Sequence, residues 1–133
     1  MDPLFEICNT THRALPPIPF QKIARAALGK GYYLSVVICG DTLAKRMNKT
    51  HRKKSYPANV LSFPLTHNEG EIFLNVDAAK REARRSKSGE QSRIALLFVH
   101  GCLHLKNLRH GKRMERAEKK ILTRFKLSPL LPL

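Results

Sequence analysis

The stretch IALLFVHGCLHL, residues 94–105, constrains the fold more than any other. On a helix, where successive residues advance by about 100°, Ile94, Leu97, Phe98, Gly101 and Leu105 share one face. Val99, Cys102 and Leu103 cover much of the remainder. A helix that is apolar nearly all round has to be buried, so the other elements must wrap it. The chain has 133 residues and 42% apolar composition, enough for one respectable core and not for two. A single domain over residues 1–125 is expected, with 126–133 (KLSPLLPL) as a loosely attached tail.

The elements that surround this helix are legible from their periodicity. LFEICNT (4–10) alternates apolar with polar residues and reads as a short strand. After the prolines of ALPPIPF comes a helix with Ile23, Ala27 and Leu28 on one face, ended by Gly29 and Gly31. YYLSVVICG (32–40) is β-branched and aromatic, a strong strand signal; Asp41 is then expected to cap a helix carrying Leu43, Ala44 and Met47. HRKKSYPA reads as a basic loop, and NVLSFPL and EIFLNV as strands around THNEG, a hairpin or crossover at a sheet edge. Asp77 is expected to cap a third helix whose polar face holds Lys80, Arg81, Arg84 and Arg85. SKSGE breaks that helix before the central one begins near Gln91. A last helix, about 112–125, places Met114, Ala117, Ile121 and Leu122 on one stripe. About four strands and five helices in this alternation predict an α+β or α/β domain.

Three of the six histidines lie in HGCLHLKNLRH, residues 100–110. His100 and His104 fall about 40° apart and one turn, roughly 6 Å, from each other, within reach of one ion. A continued helix would carry His110 away from that stripe. Asn107, suited to the left-handed conformation that ends helices, is expected to turn the chain back and bring His110 to the same centre. The spacing His-x3-His-x5-His is that of the zincin-type motif H-E-x-x-H-x-x-G-x-x-H, with Asn107 in the turn glycine's place. Gly101 stands where a peptidase keeps its general base, so the metal cage survives and peptidase chemistry does not. Three neutral imidazoles leave one tetrahedral position to solvent, the arrangement of a catalytic site. Cys102 points away from the histidines and should be packing.

Twenty-five Lys and Arg against ten Asp and Glu give a formal charge of +15, which favours a polyanionic partner, above all nucleic acid. No apolar run of about 18 residues and no signal peptide pattern is present, so a cytoplasmic protein without membrane contact is expected. Cys8, Cys39 and Cys102 are odd in number and far apart; they suggest three buried thiols in a reducing compartment, with neither a disulfide framework nor a thiolate zinc cage.

The histidine block resembles the hallmark H-G-x-L-H-L-x-G-Y-D-H of the YbeY family of metal-dependent endoribonucleases, matched at His100, Gly101, Leu103, His104, Leu105 and His110. Asn107, Leu108 and Arg109 replace its glycine, tyrosine and aspartate. A second block resembles R-x-x-x-x-P-T-D-V-L-S-F-P at Arg52, Pro57, Val60, Leu61, Ser62, Phe63 and Pro64, with Ala58 and Asn59 in place of Thr-Asp. Gly70, Glu71 and Ile72 resemble the Gly-Asp-Ile that follows.

This resemblance implies an α+β fold with a mixed, mainly parallel sheet. It implies one divalent ion per chain on His100, His104 and His110, zinc or another transition metal such as nickel, and a part in ribosomal RNA maturation and ribosome quality control at the small subunit. The expected activity is hydrolysis of single-stranded RNA, with the ion acidifying water or polarising a phosphoryl oxygen. Arg52 is the candidate to hold phosphate oxygens as charge builds, and Lys53, Lys54, Arg81, Arg84, Arg85 and Arg109 to hold the backbone. His51 and His67 are assigned to loops outside the site. Two other readings stay open: a non-catalytic RNA-binding or ribosome-associated factor with a structural metal, and a metal hydrolase of another substrate.

Overall fold

The structure is a computed structural model that describes residues 4–107 and 111–127. Its elements are β1 (Phe5–Asn9), α1 (Phe20–Leu28), β2 (Tyr33–Cys39), α2 (Asp41–Arg52), β3 (Val60–Thr66), β4 (Glu69–Asn75), α3 (Val76–Ser86), α4 (Glu90–Leu105) and α5 (Lys112–Arg124). The four strands form one sheet in the order β1-β2-β4-β3. β1 and β4 run parallel to β2, and β3 pairs antiparallel with β4 through a tight hairpin, so the sheet is mixed and mainly parallel.

Strand alternation divides the apolar residues between two layers. Leu34, Val36 and Ile38 of β2 join Ile72 and Leu74 of β4 on the face covered by α1, α4 and α5. Val37, Cys39, Leu61, Phe63 and Phe73 point to the opposite face, under Leu43, Ala44 and Met47 of α2. Helix α4 lies at the centre, as its composition requires: Ile94, Ala95, Phe98, Val99 and Cys102 are fully buried. Gly101 is where it meets the sheet. A Cβ there would stand 3.0 Å from Val60 Cγ2 and 3.1 Å from Ser62 Oγ, and the Ser62 hydroxyl donates to the Gly101 carbonyl at 2.8 Å. A side chain in this position would press on the Val60, Ser62 and Ile72 side chains, which would have to give by a few tenths of an ångström.

Several local expectations are corrected. Asp77 does not cap α3: the cap is Asn75, whose carboxamide oxygen accepts from the backbone N–H of Asp77 and Ala78. Asp41 does not cap α2 either, since Gly40 occupies the cap and Asp41 opens the first turn. Its carboxylate instead takes two hydrogen bonds from Arg81, at 2.6 and 2.9 Å, and one from Asn75. The HRKK run is not wholly loop. Helix α2 continues through His51 and Arg52, where the Arg52 guanidinium suits its C-terminal dipole, and ends at Lys53 in the left-handed conformation. Cys8 is exposed on β1, while Cys39 and Cys102 are buried. Burial raises the Cys39 thiol to about 11 and the Cys102 thiol further, so both stay protonated. At the end of α5, Lys126 is left-handed and Leu127 donates to Leu122 across a Schellman motif, which seats the Leu127 side chain in the core.

Candidate active site

Helix α4 carries Arg93, His100 and His104 at intervals of seven and four residues, one stripe along a helix otherwise buried. That stripe floors a cleft of about 730 Å³. The end of α2 contributes His51 and Arg52, the loop before β3 contributes Asn59, the start of β3 contributes Val60, α3 contributes Glu82 and α5 contributes Glu118. Every element bordering the cleft except α5 lies before α4 in sequence, so the cleft exists only once the chain has closed on itself.

The Nε2 atoms of His100 and His104 face each other at 3.0 Å, with ring centroids 4.6 Å apart. Two imidazoles bound to one tetrahedral ion at about 2.0–2.1 Å hold their nitrogens about 3.3 Å apart, so this pair stands close to ligand spacing. The opposite nitrogen of His100, Nδ1, lies 2.5 Å from Glu118 Oε2. A carboxylate only accepts, so Nδ1 carries the proton and the Nε2 lone pair is directed at the gap beside His104. This carboxylate–imidazole arrangement is the one metal sites use to fix a ligand's tautomer and orientation. Among the described residues, no group of three or more His, Cys, Asp or Glu gathers at ligand spacing. His110 and Arg109 lie outside the described residues; the turn that precedes them is present, with Asn107 left-handed at φ 65° and its N–H on the His104 carbonyl.

The basic residues divide by position. Arg52 lines the histidine cleft and an adjoining groove. Arg85 lines the groove alone. Arg81 borders it too, but its guanidinium is committed to Asp41. Lys53 and Lys54 follow α2 on the exposed surface and Arg84 sits with Arg13 and Lys80 around Asp41 and Asp77, so neither group reaches the histidines. His51, expected in a loop, is helical and lines the cleft, its ring 5.0 Å from that of Phe63. His67 sits in the β3–β4 turn.

Three cleft residues escaped the sequence reading. Glu118 had a usable signal, since it interrupts the Met114, Ala117, Ile121, Leu122 stripe with an acid on the buried side. Arg93 could have been found seven residues before His100. Its guanidinium approaches Glu82 at 3.7 Å and donates to Ser86 at 2.9 Å. Glu82 had no signal in sequence, because its partners come from the loop before β3 and from another helix. Asn59, standing where the resembled motif has aspartate, donates to Glu82 at 2.9 Å, a contact a second carboxylate could not make without repulsion.

Comparison with known proteins adds three findings. Residues 11–126 match the family model described as Endoribonuclease YbeY. Curated proteins of that name are similar to this chain: 31% identical in Chlorobium phaeovibrioides, over 75% of this chain and 72% of the relative, and 35% in Aquifex aeolicus, over 74% and 70%. The Geobacter sulfurreducens protein is 32% identical, over 76% and 81%. The solution structure of TM1509 from Thermotoga maritima shares the fold, with a TM-score of 0.59 at 23% identity over 80% of this chain and 78% of that one.

Proposed function

The chain belongs to the YbeY family of endoribonucleases, and from that premise we propose that its histidine cleft hydrolyses single-stranded RNA during ribosomal RNA maturation and quality control at the small subunit. The observation that carries this reading is the convergence of two imidazole Nε2 atoms at 3.0 Å, one of them oriented by a carboxylate, on the floor of an open cleft beside Arg52. The donor set fits a divalent ion of the zinc or nickel type; His100, His104 and His110 would hold it, and the bound ion would supply Lewis acidity toward water and phosphoryl oxygen.

The chain's own groups account for the rest. Glu118 keeps the proton on His100 Nδ1, so the ring presents a lone pair to the cleft. Arg52, on the last turn of α2, offers a planar fork of donors to two phosphate oxygens where negative charge accumulates. Arg93 adds a second cation to the same wall, held in place by Glu82 and Ser86. The excess of positive charge draws the polyanion in at long range. Ribosomal RNA as substrate is the reason to assign the protein to the cytoplasm. Among the described residues no helix is long and apolar enough to cross a membrane.

Replacing His104 with alanine tests the reading. A catalytic ion predicts a protein that stays folded, still binds RNA, loses bound metal on elemental analysis and no longer cuts. If the variant unfolds, the metal is structural; if it folds and still cuts, the histidine site is not where cleavage occurs.

A further inference from the structure

A groove of about 460 Å³ adjoins the histidine cleft and shares Arg52, Asn59, Val60 and Glu82 with it, so the two form one continuous channel. Tyr56 stands on the groove's wall and is 58% exposed. Among the described residues only Ile7, on β1, and Leu65, near the β3–β4 turn, are comparably exposed large apolar side chains. Neither of those borders the channel.

Tyr56 is not on a floppy loop. Its carbonyl accepts from Asn48 Nδ2 at 2.8 Å, and Asn48 is buried at 1% exposure inside α2. Pro57 fixes the next φ angle. The ring is therefore carried on an anchored backbone. Arg52 and Arg85 line the same groove, while Arg81, which also lines it, is neutralised by Asp41. An aromatic face sharing its groove with two guanidinium groups that have no carboxylate partner among the described residues, open to solvent and continuous with a phosphodiester-cutting cleft, has the chemistry that holds unpaired bases: cations on the backbone and a ring under the base. A duplex keeps its bases stacked internally and offers none to such a ring.

Resting on the nuclease reading above, we propose that Tyr56 is a stacking platform for an unpaired base next to the scissile phosphate, and so a determinant of selection for single-stranded RNA.

Binding is measured with chelator-treated protein, so that cutting does not interfere, on a short unpaired oligoribonucleotide and on a duplex of the same sequence. Tyr56→Ala should weaken binding of the single strand about 5- to 150-fold, the span of one lost base–aromatic stack, and leave the duplex within about twofold. Tyr56→Phe should restore the single-strand affinity. The chain has no tryptophan, so Tyr56→Trp introduces one indole, whose emission should be quenched by the single strand and not by the duplex. Equal affinity of Tyr56→Ala and the parent protein, or an equal loss for both RNAs, overturns the proposal. Cutting by the metal-loaded parent protein is scored separately. Single-strand cleavage with Tyr56-indifferent binding sinks the stacking platform alone, whereas Tyr56-dependent binding without cleavage sustains the platform and sinks the nuclease reading.

Discussion

Glu118 contributes a single oxygen atom, yet that atom decides which nitrogen of His100 faces the cleft. The carboxylate is about six-sevenths buried, at 14% side-chain exposure, so its charge acts on the imidazole with little screening by water. Glu118→Gln keeps the shape and removes the charge. The expected outcome is a metal affinity lower by about 10- to 100-fold, read by competition with a chromophoric chelator, with thermal unfolding of the metal-free protein little changed. Asn59 illustrates the same economy. By donating to Glu82 it lets a carboxylate sit beside Arg93 on the cleft wall without a like-charged neighbour. Gly101 acts by having no side chain at all, which lets the histidine-bearing helix come against β3.

At the scale of elements, the site depends on how α2 and α3 are fastened across the end of the sheet. Asn75 caps α3 with its oxygen while its nitrogen donates to Asp41 and to the Ala58 carbonyl, so one buried side chain joins β4, α2, α3 and the loop before β3. The Arg81 guanidinium completes this junction and holds the Asp41 carboxyl below the usual carboxylate range, with Asn75 adding to the effect and partial burial opposing it. A carboxyl depressed in the folded state contributes stability that is present above its unfolded pKa, about 3.9, and is lost as pH falls through the lower folded value. Urea unfolding should therefore show the wild-type protein losing stability below about pH 4 more steeply than Asp41→Asn, with the gap between them largest at neutral pH. The effect is modest, because both partners are partly exposed and solvent screens the pair. Parallel acid-unfolding curves would remove Asp41 from this role.

At the scale of the whole molecule, the charge of +15 is distributed unequally between cations already paired and cations available to a ligand. RNA affinity should fall linearly with salt on logarithmic axes. Arg85→Ala, removing a charge from the groove, should flatten that slope by about 0.7, and Arg81→Ala by clearly less because Asp41 already neutralises it. Equal slopes for both variants would mean that the groove is not the binding surface. The sequence by itself determined the central helix, the strand alternation, the one-turn histidine pair, the left-handed turn at Asn107 and the polyanion-seeking charge, because each depends on residues close in the chain or on composition alone. It misplaced the caps of α2 and α3, since Asp41 and Asp77 are good capping residues whose carboxylates are drawn to Arg81 and Arg13 on distant segments. Only the tertiary structure decided that Glu118 steers His100, that Glu82 bridges Asn59 and Arg93, and that Arg52 and Tyr56 border one channel. Those relations join groups separated by tens of residues, and their energies exist only after the sheet and α4 have packed.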